Sequence, residues 1–155
     1  MRISHIWAAL ACLPLLALPA RATGGLGCSI DDANLKLTAD TAVSRGMGGQ
    51  FINFTASAEI LAKEAPEDMR KLTLDKALIH HWYTGREIKL SFYSERNDNN
   101  FASIDIAIET TLPEGAEEDA DFQGTYDLSI FAAPQGGGDA AATVYTGKAT
   151  CLAGG

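Results

Sequence analysis

The sequence has few basic residues and lacks the motifs of common enzyme classes. Twelve Lys and Arg stand against twenty Asp and Glu, so the formal net charge is −8. Nucleic acids and anionic lipid surfaces are bound through clustered Lys and Arg, and we expect neither as a partner. A Gly-x-Ser-x-Gly elbow, a His-Glu-x-x-His pair and a Walker loop are all absent. The sequence therefore favours a non-enzymatic protein and indicates no cofactor or metal site.

Long apolar runs are also scarce, and the one that is present lies at the start of the chain. Ile6–Leu18 follows the basic Arg2 and is shorter than the roughly 20 apolar residues of a membrane-spanning helix. The small residues of Ala20-Arg21-Ala22 are typical of a signal-peptidase site. We predict a cleaved signal peptide over 1–22, a single domain over 23–155, a periplasmic or secreted location and no membrane span after cleavage. Removal of two arginines leaves ten basic and twenty acidic residues, a net charge of −10.

Cysteine is rare, and the positions of the three cysteines are informative. Cys12 leaves with the signal peptide, so Cys28 and Cys151 remain near opposite ends of the domain. An oxidising compartment favours their pairing, and closure of so long a loop restricts the unfolded chain by about 4 to 5 kcal/mol. We therefore predict a Cys28–Cys151 disulfide and neighbouring first and last strands. A structural zinc site is not indicated, because the adjacent His80 and His81 point to opposite faces of a strand.

The domain shows mostly period-two alternation, which predicts strands with one buried face. The clearest hairpin joins Arg86–Glu95 to Phe101–Thr110 through an Asn- and Asp-rich turn. Its even-numbered apolar residues form the predicted core face, in a register that places Ile88 opposite Ile108, Leu90 opposite Ile106 and Phe92 opposite Ile104.

Further strands are predicted over Phe122–Phe131 and Gln50–Leu61, the latter with Ile52 and Phe54 inward, although Ala58–Ala65 would also suit a helix. Together with shorter runs they give about seven strands. Antiparallel hairpins without helical crossovers and with linked termini predict an all-β, antiparallel β-sandwich of the immunoglobulin-like or jelly-roll type. A closed barrel is the second alternative.

The turn between two strands near residue 84 decides which aromatic residues face water. A three-residue loop, Tyr83–Gly85, pairs Trp82 with Arg86 and turns Trp82 into the core. A two-residue loop, Thr84-Gly85, instead places Trp82 outside. We prefer the first, because burial of Leu78 and Trp82 contributes about 2 to 3 kcal/mol each.

In the preferred register one outer face carries a small aromatic patch beside a charged residue. Aromatic side chains give large contact areas at low entropic cost, as protein and glycan sites require. The candidate binding residues are therefore Ile79, His81, Tyr83, Lys89 and Tyr93.

An acidic loop, Leu112–Asp121, holds five carboxylates, Glu114, Glu117, Glu118, Asp119 and Asp121. Their spacing does not match the order of an EF-hand, so we interpret the loop as hydrated charge rather than a calcium site.

These features lead to one functional expectation and two alternatives. We expect an exported, non-enzymatic binding or interaction domain whose partner is a protein or a glycan surface. The alternatives are a hydrolase with an active site built from loops, and an inhibitor that presents a loop such as Leu112–Asp121 to a partner enzyme.

Overall fold

The computed structural model of the chain describes residues 23–44, 50–97, 100–117, 120–134 and 141–154. The predicted signal peptide and the glycine-rich loops 46–49 and 136–138 lie outside these ranges. Within them the chain forms nine strands, a short 3-10 helix (Glu67–Met69) and no α-helix. The strands are β1 (Thr23–Asp31), β2 (Leu35–Ser44), β3 (Phe51–Ile60), β4 (Lys71–Thr73), β5 (Leu78–Tyr83), β6 (Glu87–Arg96), β7 (Ala102–Thr111), β8 (Phe122–Ala132) and β9 (Thr143–Gly154).

The described strands form one antiparallel sheet in the order β4-β3-β2-β1-β9-β8-β7-β6-β5. Aromatic rings of β3 contact rings of β5 and β6, which lie far from β3 in this order. The sheet therefore curls into a half-barrel around its apolar face. The predicted all-β, antiparallel architecture is confirmed, but one nine-stranded sheet replaces the expected seven-stranded sandwich. Alternation marks one buried face in both architectures, so it does not distinguish them.

The disulfide joins the two strands that were expected to be neighbours. Cys28 of β1 lies directly opposite Cys151 of β9, and their sulfur atoms are bonded. Both residues are buried on the core face. The predicted pairing of the first and last strands is confirmed.

The β6–β7 hairpin has the predicted faces in a different register. Leu90 lies opposite Ile108 and Phe92 opposite Ile106. Arg96 and Ala102 form the last pair before the loop. In each pair the observed partner lies two residues away from the predicted one along the opposite strand. Such a displacement keeps every side chain on its face, because strand side chains alternate with period two. The core assignment was therefore right although the register was wrong.

In β3, a bulge at Asn53 reverses the orientation of the residues before it. Asn53 has φ 55°, a left-handed conformation that Asn tolerates better than most residues. The pairing of β2 with β3 shifts between Asp40 and Ala42. Ile52, predicted to face inward, is consequently 40% exposed. The strand runs to Ile60 and no helix covers Ala58–Ala65, so the strand interpretation was right there.

One end of the half-barrel is covered by the segment 61–70. Ala62, Ala65 and Met69 of this segment are buried against the core. Asp68 forms an ion pair of 2.7 Å with Arg96 at the end of β6. The segment thus links the two distant parts of the sheet, β3 and β6. No helix in the described residues has the length and apolarity of a membrane span.

Candidate functional site

The β5–β6 turn decides the orientation of the predicted binding residues. Thr84 N donates to Glu87 O at 3.1 Å, and Gly85 has φ +81°. Gly85 and Arg86 are thus the central residues, with glycine first, as in a type II′ hairpin. Tyr83 then lies opposite Ile88 and Trp82 opposite Lys89. Both registers considered from the sequence were wrong, although the two-residue loop correctly placed Trp82 outside.

A second irregularity in β5 exposes an apolar side chain. Leu78 lies opposite Phe92 and His80 opposite Ser91, so the register shifts between Leu78 and His80. Ile79 is the extra residue of this bulge and is 66% exposed. Bulges at sheet edges commonly re-aim a side chain, and here the bulge turns an isoleucine toward solvent.

Of the predicted binding residues, Ile79, Lys89 and Tyr93 are on the solvent side, as expected. His81 and Tyr83 instead share the side of the sheet that carries the core, because they lie opposite Leu90 and Ile88. The His81 ring stacks on Phe51 of β3 with 4.4 Å between ring centroids. Tyr83 is partly buried and packs against the core. The five predicted residues therefore do not form a single face.

Trp82 and His80 occupy the outer-face positions that had been assigned to Tyr83 and His81. Trp82 is 48% exposed and is paired with Lys89, and His80 is exposed. We define the hairpin surface as Ile79, His80, Trp82, Lys89 and Tyr93. The sequence signal that could have located it is Gly85-Arg86, a glycine at the first central position of a II′ turn.

The hairpin surface lies beside an open strand edge. In the described residues β5 ends the sheet, and no strand pairs with its outer side. The hydrogen bond from Thr84 N–H to Glu87 C=O determines which backbone groups of β5 face β6, because these groups alternate along a strand. The N–H and C=O groups of Trp82 and His80 point toward β6. The N–H and C=O groups of His81 and Tyr83 therefore point to the open side.

The other end of the sheet is protected in ways that β5 is not. β4 has only three residues and begins with Lys71. Beyond it, Asp75 Oδ1 accepts a hydrogen bond of 2.7 Å from Ala56 N of β3. Short strands and lysines commonly prevent a sheet edge from pairing with another chain. By contrast, Leu78–Tyr83 contains neither a lysine nor a carboxylate.

Aromatic rings connect β5 with β3 across the inside of the half-barrel. Phe51 stacks on His81, Phe51 and Phe54 have centroids 6.0 Å apart, and Phe54 lies 6.1 Å from Phe92. The Asn53 bulge permits this chain of rings, because it turns Phe51 to the same side of the sheet as Phe54. The ring contacts position β5, while its backbone edge carries no strand in the described sheet.

The surroundings of the hairpin surface are acidic. The outward positions of β6 and β7 include one cation, Lys89, and four carboxylates, Glu87, Glu95, Asp105 and Glu109. Lys89 Nζ lies 3.5 Å from Glu109 Oε2, so this lysine is paired with one of the four carboxylates and not with the other three. The Tyr93 hydroxyl donates to Glu95 at 2.6 Å, and this bond raises the pKa of the phenol. Tyr93 therefore remains a neutral hydrogen-bonding group.

The hairpin surface offers apolar contact, backbone hydrogen bonds and negative charge. In the described part of the chain, no group of three His, Cys, Asp or Glu side chains could hold a metal ion. Glu118 and Asp119 of the acidic loop lie outside that part, so the interpretation of this loop as hydrated charge stays a prediction. The chain matches no protein-family model and has no significant similarity to a curated protein or to a solved structure.

Proposed function

We propose that this protein is an exported interaction domain that binds an extended polypeptide segment by adding it as a strand to β5. The observation that carries the proposal is the open edge of β5, with its outward backbone groups at His81 and Tyr83. Strand addition of this kind obtains affinity from main-chain hydrogen bonds and specificity from alternate side chains.

Exposed apolar side chains next to the edge support the same proposal. Ile79 and Trp82 are 66% and 48% exposed. They lie before and after His81, one of the two residues whose backbone groups point to the open side. Trp is enriched among the residues that dominate binding energy at interfaces. An added strand would cover both side chains.

Charge indicates the chemistry of the partner. The outward carboxylates of β6 and β7 exceed their single lysine, and the exported chain is expected to carry a net charge of −10. Complementary charge speeds association and excludes wrong partners. The partner segment is therefore extended, alternates apolar with polar side chains, and carries Lys or Arg among the polar ones. A second copy of this acidic chain is disfavoured by repulsion.

Export is part of the proposal. The leader over 1–22 accounts for secretion or transfer to the periplasm, and the Cys28–Cys151 disulfide is compatible with an oxidising compartment. The interaction would then take place outside the cytoplasm.

The test is selection of short random displayed peptides on the exported protein. Trp82 is its single tryptophan once Trp7 leaves with the leader, so tryptophan fluorescence reports directly on the site. We expect selected peptides to be rich in alternating apolar residues and in Lys or Arg. Binding of these peptides should shift the Trp82 emission. Ile79→Lys should weaken the peptide affinity by about tenfold or more, equivalent to about 1.4 kcal/mol.

A matched control separates this edge from general surface effects. Val144 of β9 is 59% exposed but lies within the sheet rather than at its edge. Val144→Lys adds the same charge as Ile79→Lys and should leave peptide affinity unchanged. The proposal fails if no peptide is enriched, or if both lysine variants weaken binding equally.

A further inference from the structure

An open groove lies on the outer face of β1 to β4, away from the hairpin surface. Its volume is about 800 Å³, within the range of roughly 300 to 1,000 Å³ typical of ligand sites. Its lining comes from β1, β2, β3 and β4 and includes no residue of β5 or β6. A ligand in this groove would not compete with a strand added at β5.

Four hydroxyl side chains form one row across the groove. Ser29 pairs with Thr38, Thr38 with Ser57, and Ser57 with Thr73. Thr38 Oγ1 and Ser57 Oγ are 3.3 Å apart. Because neighbouring strands are about 4.8 Å apart, the four residues of the row extend over about 14 Å.

The same register row continues beyond the groove with uncharged polar side chains. Ser29 pairs with Thr150, Thr150 with Gln123, and Gln123 with Thr111. Seven adjacent strands thus place a hydroxyl or an amide on the outer face in one unbroken row, which we name the hydroxyl row.

The second row of the groove is charged, and its charges are matched. Lys36 lies 3.7 Å from Asp31, and Lys71 lies 3.8 Å from Glu59. All four side chains line the groove. Two cations and two carboxylates give no net charge, although the protein as a whole is acidic. The groove therefore has no field that would select a phosphate- or sulfate-bearing polymer.

From these observations we infer that the groove binds a linear, uncharged oligosaccharide lying across the strands along the hydroxyl row. Ser and Thr hydroxyls both donate and accept hydrogen bonds, as the hydroxyls of a sugar do. The paired lysines and carboxylates supply charged partners for further sugar hydroxyls. The length of the row, with one polar side chain on each strand, suits an extended ligand made of several sugar units.

The affinity should be weak. No aromatic side chain is among the residues that line the groove in the described structure, so the large contact area that a ring supplies is missing. We expect dissociation constants on the order of 1 mM for a short oligosaccharide. Binding to a long polysaccharide would be tighter, because the row continues over three further strands.

The experiment is a titration of the exported, isotope-labelled protein with three tetrasaccharides, followed by backbone amide NMR. The probes are a neutral β-glucan fragment, a chitin fragment and a sulfated heparin fragment. A neutral fragment should shift amide signals of Ser29, Thr38, Ser57 and Thr73, and the shifts should persist at high salt. Thr38→Val combined with Ser57→Ala should weaken this binding by about tenfold, because it removes two hydroxyls with little change of shape.

The control is Thr146→Val, which removes an outer-face hydroxyl of β9 outside the hydroxyl row and should leave the affinity unchanged. The two substituted proteins must give the wild-type circular dichroism spectrum, and Thr38→Val alone serves if the double variant does not. The inference is overturned if no neutral fragment shifts the row, if only the sulfated fragment binds in a salt-sensitive way, or if the control weakens binding equally.

Discussion

At the scale of single residues, a buried tyrosine and an aspartate join two distant parts of the chain. The Tyr126 hydroxyl donates to Asp32 Oδ2 at 2.7 Å, although the two residues are 94 positions apart. Gly147 lies opposite Tyr126 in β9, and a Cβ there would come within 2.5 Å of the Tyr126 ring. Because Gly147 has no side chain, the Tyr126 ring can lie against its backbone.

The ionisation of Asp32 should make stability depend on acidity. Burial opposes its ionisation, but hydrogen bonds from Tyr126 and from the backbone N–H of Asn34 and Leu35 outweigh burial and lower its pKa. A lowered pKa contributes stability that is complete above the unfolded value of about 3.9 and is lost as the pH falls through the folded value.

We therefore expect Tyr126→Phe to lower the free energy of unfolding by about 1 to 2 kcal/mol at pH 7. The deficit should shrink as the pH falls below about 4, since protonated Asp32 loses its charged hydrogen bonds in both proteins. Urea unfolding at several pH values measures it. A deficit that does not vary with pH would show that packing, not ionisation, accounts for the loss.

The sequence predicted some residue contacts and missed others for a physical reason. The Cys28–Cys151 pair followed from the number and position of cysteines, and the buried even-numbered residues of β6 and β7 followed from alternation. The bond between Asp32 and Tyr126 depends on which strands become neighbours after folding. The local sequence pattern does not indicate which strands become neighbours, so this contact could not be predicted.

At the scale of elements, bulges and turns determine what the candidate site contains. Alternation predicts which residues share a face only while no residue is inserted. The bulges at Ile79 and Asn53 each insert one residue, and they exposed Ile79 and turned Ile52 outward. Ile79, Lys89 and Tyr93 therefore lie on the exposed face that alternation predicted, whereas the faces predicted for His80 to Tyr83 are reversed.

The Asn53 bulge offers a direct test of this interpretation. Asn53 has φ 55°, a conformation that costs an alanine about 1 kcal/mol more than an asparagine or a glycine. Asn53→Ala should lower the free energy of unfolding by about that amount, whereas Asn53→Gly should leave it nearly unchanged. Equal effects of the two substitutions in chemical denaturation would contradict the left-handed bulge.

At the scale of the whole molecule, the disulfide and the curled sheet act together. Cys28 and Cys151 are 123 residues apart in sequence, so their bond closes nearly the entire domain into one loop. Alternation and turn signals predicted an antiparallel all-β fold, but they do not encode whether strands continue into one curled sheet or split into two. Three glycines among its nine residues weaken the strand signal of β1, although Leu26, Cys28 and Ile30 alternate along it.

Removal of the disulfide should cost much of the stability. The chain-entropy model gives about 4 to 5 kcal/mol for a loop of this length, a large share of the roughly 5 to 15 kcal/mol typical of a domain. The double variant Cys28→Ala, Cys151→Ala should unfold at a much lower urea concentration than the oxidised protein. Reductant should shift the wild type in the same direction and leave the double variant unaffected. Equal midpoints for the oxidised protein and the variant would contradict this account.

The most direct test of the open edge of β5 is backbone hydrogen exchange, measured residue by residue on the free protein and with a selected peptide bound. The account predicts that in the free protein the amides of His80 and Trp82 exchange slowly and those of His81 and Tyr83 exchange fast, and that peptide binding slows exchange at the latter two. Slow exchange at His81 and Tyr83 in the free protein, or no change there when the peptide binds, would contradict it.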